Sequence, residues 1–208
     1  MITYDDISHT YFLDGVQIQN VTTWIEKFVP EFPKELIASK VALKQDRTML
    51  DVLAEWEIKG KISCDYGNYI HKTIEAHIKW GVEGSSDVQK AVIADFKKKT
   101  GTFSQLYPEI VVHGQINNEE LAGTVDLIAK DKSGKLKIID YKTNKDLHKK
   151  NGKLLVPYED LGNTPLNKYR LQLNTYRTLL GKDCKMEVWW WNNEKQEFEI
   201  TKIDKIKI

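Results

Sequence analysis

Gly123-Thr124-Val125-Asp126-Leu127-Ile128, followed after one tight turn by Ile138-Ile139-Asp140-Tyr141-Lys142, decides how this chain is read. Both stretches are apolar enough to be buried strands, and both carry acid where a buried strand avoids it. Strand side chains alternate faces, so Asp140 and Lys142 share one face while Ile139 and Tyr141 share the other. If the two runs pair as a hairpin, Asp126 joins Asp140 and Lys142 at one spot. Two carboxylates and a lysine converging on a sheet suit a divalent metal and a water nucleophile.

Working outward, the texture is strand-like from Glu109 to Val112, Leu121 to Ala129 and Lys135 to Tyr141, with turns at Asn117-Asn118 and Asp131-Lys132-Ser133-Gly134. Lys142 to Pro157 reads as loop. Asn163 or Thr164 caps a helix with Pro165 at its first position, running to about Leu180 and ended by Gly181. Met186 to Trp191 and Phe198 to Ile203 form a closing hairpin around Asn192-Asn193. The earlier part reads as a hairpin around Asp14-Gly15 and then helices. Thr22 or Thr23 caps a short helix through Phe28, and Pro33 opens another to about Gln45. A third covers Arg47 to Ile58 and is broken by Gly60, and a fourth runs from about Ser63 to Trp80. The last of these starts at Ser85-Ser86-Asp87 and ends near Lys99. This order argues for an α/β fold, a mixed central sheet flanked by helices, with an N-terminal helical part.

A length of 208 residues fits one domain over 1–208, with 1–60 supplying the hairpin and first helices and 61–208 the core. The opening Met1-Ile2-Thr3-Tyr4-Asp5-Asp6 has neither a basic nor an apolar targeting region, and no run is apolar enough to span a bilayer, so the expected location is cytoplasmic. Two cysteines, Cys64 and Cys184, are too few for a four-thiolate cluster. The net charge of +1 gives no global signature of nucleic-acid binding. Lysines recur nonetheless from Lys130 to Lys153. That run is either a solvated face or a phosphate-tracking patch beside the acids. Trp189-Trp190-Trp191 reads as a half-buried strand, with an exposed member able to stack on a base.

Further polar residues recur at telling positions. Glu109 follows Tyr107-Pro108 just before the acidic hairpin. His71 and Glu75 are four apart in one helix, as are Gln172 and Tyr176 in another, so each pair shares a helix face. The ordered set of His71, Glu109, Asp126 in Gly-Thr-Val-Asp, Asp140-Tyr141-Lys142 and Gln172-Leu-Asn-Thr-Tyr176 resembles the PD-(D/E)XK nuclease superfamily. It is most similar to the RecB-type branch, which includes phage exonucleases and the mitochondrial genome-maintenance exonuclease. His9-Thr-Tyr11, Asp14-Gly15-Val16 and Asn20-Val21-Thr22 extend the resemblance to about residues 9–180. The cysteines that mark iron–sulfur relatives are missing, there is no Walker A sequence, and no proline stands three or four residues before Asp126.

The resemblance implies a restriction-endonuclease-like core and a Mg²⁺- or Mn²⁺-dependent deoxyribonuclease. Asp126 and Asp140 would be metal ligands, joined by the Tyr141 carbonyl, by His71 from its helix and by Glu109 directly or through water. Lys142 would orient the attacking water and stabilise charge on the phosphate. Gln172, Tyr176, Thr22 and Thr143 would brace the site or contact the nucleic-acid backbone. The expected activity is an exonuclease on single-stranded DNA or DNA ends in recombination, repair or replication, in a bacterium or phage-infected cell, with a recombination or replication protein as partner. A structure-selective or sequence-specific endonuclease and a non-catalytic DNA-binding module are the alternatives. Glu75 is read as an ordinary surface or supporting residue.

Overall fold

A computed structural model describes residues 1–5 and 8–208; Asp6, which closes the acidic N-terminal stretch, and Ile7 lie outside them. Among the described residues eight strands form one mixed sheet: β1 (Ile2–Asp5), β2 (Thr10–Leu13), β3 (Val16–Asn20), β4 (Phe103–Ile116), β5 (Glu119–Asp131), β6 (Leu136–Lys142), β7 (Cys184–Asn192) and β8 (Glu197–Ile203). The order is β1-β2-β3-β5-β6-β7-β8, with β4 paired to β5. β3 with β5 and β6 with β7 are parallel and the other pairs antiparallel, so the sheet is mixed as expected.

β5 organises the site because its two edges are used differently. β4 lines one edge from Ile116↔Glu119 to Phe103↔Asp131. The other edge is shared: β3 pairs with Leu121 and Ala122 at one end, and β6 with Leu127 to Lys130 at the other. Residues 123–126 lie in the fork between β3 and β6, which opens the sheet at the half-buried Asp126.

Alternation along the strands feeds two cores, one on each face. Ile128, Ile138, Met186 and Val188 pack with Trp24 of α1 (Val21–Glu26) and with Leu171, Leu173 and Tyr176 of α5 (Pro165–Leu180). Leu127, Ile139, Tyr141, Trp189 and Phe198 pack with Ile70 and Ile74 of α3 (Met49–Trp80) and with Val92 and Phe96 of α4 (Asp87–Thr100). Helices therefore flank the sheet on both sides. The segment 143–164 is held by buried Leu147 and Leu154. None of the helices formed by the described residues is long and apolar enough to cross a membrane.

Several sequence expectations need correction. The two helices expected on either side of Gly60 are one, α3, of 32 residues. Thr48 and Asp51 form a capping box at its start, and Gly81 ends it in the left-handed conformation at φ 68°. An interior glycine costs only about 1 kcal/mol relative to alanine, too little to break a helix capped at both ends. The subdivision at residue 60 falls inside this helix. Asn20, not Thr22 or Thr23, caps α1: its side-chain oxygen accepts the Thr22 N–H at 2.8 Å. The hairpin expected around Asp14-Gly15 is β2 with β3, and β1 adds a further strand along β2. β4 is also longer than Glu109 to Val112; as an edge strand it accommodates Pro108, whose missing N–H leaves no central ladder bond unmade. The remaining short helix, α2 (Lys34–Gln45), packs on the first half of α3 through Ala38, Ala42 and Val52.

Candidate active site

Three carboxylates line up across three adjacent strands. In β4 and β5, Pro108↔Leu127 and Ile110↔Val125 bracket Glu109 and Asp126 as opposing positions. In β5 and β6, the pair Leu127↔Ile139 places Asp126 opposite Asp140. One register thus carries Glu109, Asp126 and Asp140 in a row. The backbone departs from regular strand at this row. Glu109 sits at φ 54°, a left-handed conformation that is rare for a glutamate inside a strand. Asp126 Oδ2 accepts the Tyr141 main-chain N–H at 2.7 Å, so a side chain stands where a ladder carbonyl would and β6 splays from β5.

α3 brings His71 to the row. Its Nε2 lies 3.0 Å from the Tyr141 carbonyl, so Nε2 carries the proton, and its Nδ1 lies 3.6 Å from Asp126 Oδ1. The imidazole also meets the Tyr141 ring edge-on, with centroids 5.5 Å apart. Ligand atoms of His71, Glu109 and Asp126 lie within 4.8 Å of one another. Asp140 is 1% exposed; its Oδ2 is 2.7 Å from Lys142 Nζ and its Oδ1 has no hydrogen-bond partner among the described residues.

The charges of this cluster are strongly coupled. Burial, reinforced by the carboxylates of Asp126, Glu75 and Asp140, pushes the Glu109 carboxyl up to about 8. Burial also raises Asp140, to about 6; Lys142 opposes that rise and Asp126 adds to it. Burial works against the Lys142 ammonium, but Asp140 and Asp126 outweigh it and hold the amine above its usual range. The lysine is therefore charged at neutral pH and serves as a cation, not as a base. Three carboxylates are hard donors for a divalent cation, and one imidazole, a borderline donor, is compatible with Mn²⁺ beside them. The orphaned Asp140 Oδ1, buried without a proton donor, fits the same ligand.

The other expected residues fall around this centre. Tyr176 is buried under β5, and a Cβ on Gly123 would come within 2.5 Å of Tyr176 Cε1, which explains the glycine of Gly-Thr-Val-Asp. Gln172 Nε2 donates to the Tyr176 hydroxyl at 2.9 Å. Thr143 Oγ1 lies 3.3 Å from where a Cβ on Gly67 of α3 would sit. Thr22 stands apart from the acids, in a second cleft of about 600 Å³ lined also by Asn20, Thr10 and Gln17. The lysine run does not form one patch. Lys132 and Lys135 flank the β5–β6 turn beyond one end of β6, and Lys145, Lys149, Lys150 and Lys153 follow its other end. Between them Lys137 is taken up by Glu187 at 2.7 Å. Trp189 and Trp191 are core residues, and Trp190 is partly buried with its N–H on the Asn144 carbonyl.

A cleft of about 580 Å³ opens at the Glu109 end of the row; His71 and Glu109 line it together with Glu75, read from the sequence as an ordinary surface or supporting residue, and with Tyr4, Asn68 and Lys72, to which the sequence reading assigned no role. Glu75 faces the acids one helical turn from His71 while pairing with Lys79 at 2.6 Å. Its i+4 spacing from His71 was the available signal. His9 lines both clefts, accepting or donating at Nδ1 to the Tyr4 hydroxyl at 2.7 Å.

The pattern of the PD-(D/E)XK nuclease superfamily matches residues 69–199. No curated protein matches the chain. Among solved structures, that of SSO0001 is 14% identical, with a TM-score of 0.44 over 91% of this chain and 68% of that one. A candidate exonuclease from Eubacterium rectale is 8% identical, with a TM-score of 0.41 over 90% of this chain and 73% of that one.

Proposed function

Because this chain belongs to the PD-(D/E)XK nuclease superfamily, we propose that it is a Mg²⁺- or Mn²⁺-dependent DNA exonuclease of the RecB-type branch. Its substrates would be single-stranded DNA or DNA ends arising in recombination, repair or replication in the cytoplasm of a bacterial or phage-infected cell. The observation that carries the reading is the in-register row of Glu109, Asp126 and Asp140, with His71 above it and Lys142 beside it.

His71, Glu109, Asp126 and Asp140 would hold the cation, with the Tyr141 carbonyl beside them. The divalent ion, when bound, neutralises phosphate charge and lowers the pKa of water. Asp126 is fixed by the Tyr141 N–H, which leaves Oδ1 turned towards His71. Glu109, whose carboxyl is pushed up to about 8 by burial and neighbouring carboxylates, would hold the cation as the carboxylate, so that its binding would be coupled to loss of that proton. Lys142 keeps its proton and offers positive charge to the non-bridging oxygens of the scissile phosphate. Tyr176 and Gln172 support β5 from below.

The test is incubation with Mg²⁺ or Mn²⁺ on end-labelled linear single-stranded DNA and on closed circular single-stranded DNA, with Asp126→Ala as control. Loss of the linear substrate alone, abolished in the variant, supports a free-end exonuclease. Cutting of the circle replaces that reading with an endonuclease. Cleavage of neither sinks the nuclease assignment.

A further inference from the structure

The chain leaving β6 is clamped two residues past Lys142. Asn144 takes hydrogen bonds from two elements: the Tyr169 hydroxyl of α5 donates to its Oδ1 at 2.6 Å, and Trp190 Nε1 of β7 donates to its carbonyl. The same Tyr169 ring carries the ammonium of Lys142, whose Nζ is 4.6 Å from the ring centroid and 2.7 Å from Asp140 Oδ2. Tyr169 precedes Gln172 and Tyr176 by three and seven positions, so all three lie along one face of α5.

A lysine ammonium is a point charge on a flexible four-carbon stem, and a single carboxylate does not fix its place. Asp140 is also the partner that a bound cation would claim. An aromatic face attracts the charge without supplying a competing oxygen acceptor, and it keeps that attraction when Asp140 turns to the metal. Resting on the nuclease reading above, we propose that Tyr169 is a positioning residue. Its ring seats the Lys142 ammonium, and its bond to Asn144 ties the segment 143–164 to that seat.

Four variants test this: Tyr169→Leu removes the ring, Tyr169→Phe keeps the ring but loses Asn144, and Lys142→Ala is made alone and combined with Tyr169→Leu. Tyr169→Leu is expected to lower kcat on the order of tenfold with KM little changed, the rate equivalent of one desolvated cation–π contact. Tyr169→Phe retains most of kcat. In the Lys142→Ala background Tyr169→Leu has no further effect. Independently of activity, NMR of the wild-type chain should show the Lys142 ε-methylene shifted upfield by the ring, retained in Tyr169→Phe and lost in Tyr169→Leu. An ordinary methylene shift in the wild type overturns the proposal even if Tyr169→Leu does not fold. A loss that persists undiminished without Lys142, or a Tyr169→Leu variant with wild-type kcat, overturns it as well. A wild-type chain that cleaves no DNA overturns the nuclease reading and the catalytic role built on it, and the methylene shift then still decides whether Tyr169 seats Lys142.

Discussion

Asp140 and Glu187 sit on neighbouring strands of the same sheet, both almost fully buried, and they are treated in opposite ways. Glu187 is complete: Lys137 Nζ holds one oxygen at 2.7 Å and Trp189 Nε1 the other at 2.9 Å. Asp95 under β8 is complete too, with Lys99 at 2.6 Å and the Phe198 N–H at 2.7 Å. Asp140 has the Lys142 ammonium beside Oδ2 and no hydrogen-bond partner on Oδ1 among the described residues, with Asp126 opposite it and Glu109 beyond. Among the described residues the buried acids outside the row, Glu187 and Asp95, are satisfied by their neighbours, while the row is short of positive charge, which fits the cation proposed for it.

The sharpest way to break that contrast is to remove a charge from the row. Asp126→Asn keeps an oxygen for the Tyr141 N–H and relieves repulsion. It should cut metal-dependent cleavage by roughly a thousandfold or more while leaving the melting temperature equal or higher. Asp140→Asn should behave alike in the cleavage assay. A variant with near-wild-type turnover would remove that residue from the chemistry.

Proton linkage gives a second test, on the metal-free protein. Glu109 is raised from 4.5 to about 8 and Asp140 from 3.8 to about 6 on folding. For acids raised in the folded state, the folded chain binds more protons than the unfolded one between the two values. Their stabilisation is whole below about pH 4 and is lost as pH rises through about 6 and then about 8. Urea unfolding should therefore show stability falling by roughly 5 kcal/mol from pH 5 to pH 8, most of it from Glu109. Saturating Mg²⁺ or Mn²⁺, which binds the deprotonated carboxylates, should flatten or reverse the slope. A slope that ignores the metal would mean that the row does not own it.

The complete acids should fail differently. Glu187→Gln sets an amide N–H₂ against either Lys137 or Trp189, both donors, and should cost about 2 kcal/mol of stability. Cleavage by the folded fraction should stay near wild type. Activity lost without destabilisation would erase the distinction between the two kinds of buried acid.

How much of this was legible in the sequence depends on what each residue answers to. Asp126, Asp140 and Lys142 showed themselves because charge inside an apolar strand has few structural uses, and period-two alternation put the last two on one face. Asp126 meets Asp140 through the β5–β6 register, which the turn at 131–135 fixes locally, and meets Glu109 through the β4–β5 register, set across the turn at Asn117-Asn118. The fork in β5, the left-handed Glu109 and the place of Tyr4 and His9 in the cleft are tertiary. The fork and the two cleft residues depend on β1–β3 arriving from residues about a hundred positions earlier, and the Glu109 conformation has no local sequence signal. Glu75 was underread because its pairing with Lys79 looks like any exposed helical ion pair until Glu109 is placed opposite. Gly60 was misread because propensity was allowed to outvote the caps at both ends of α3.

That misread glycine supplies the smallest test and the control for the others. Gly60 lies in an exposed stretch of α3, with nothing within 4 Å of an added Cβ and no positive φ. Gly60→Ala should raise stability by about 0.5–1 kcal/mol through the unfolded chain's lost freedom and a better helix interior. The same helix carries His71 about three turns later, so the substitution stiffens the element that serves the site without touching the row. The unfolding curves should shift by the same amount at every pH, with and without metal, and cleavage should be unchanged. A pH-dependent shift would show that the slope assigned to Glu109 and Asp140 is spread along α3, and the contrast between the row and the complete acids would then rest on their hydrogen bonds alone.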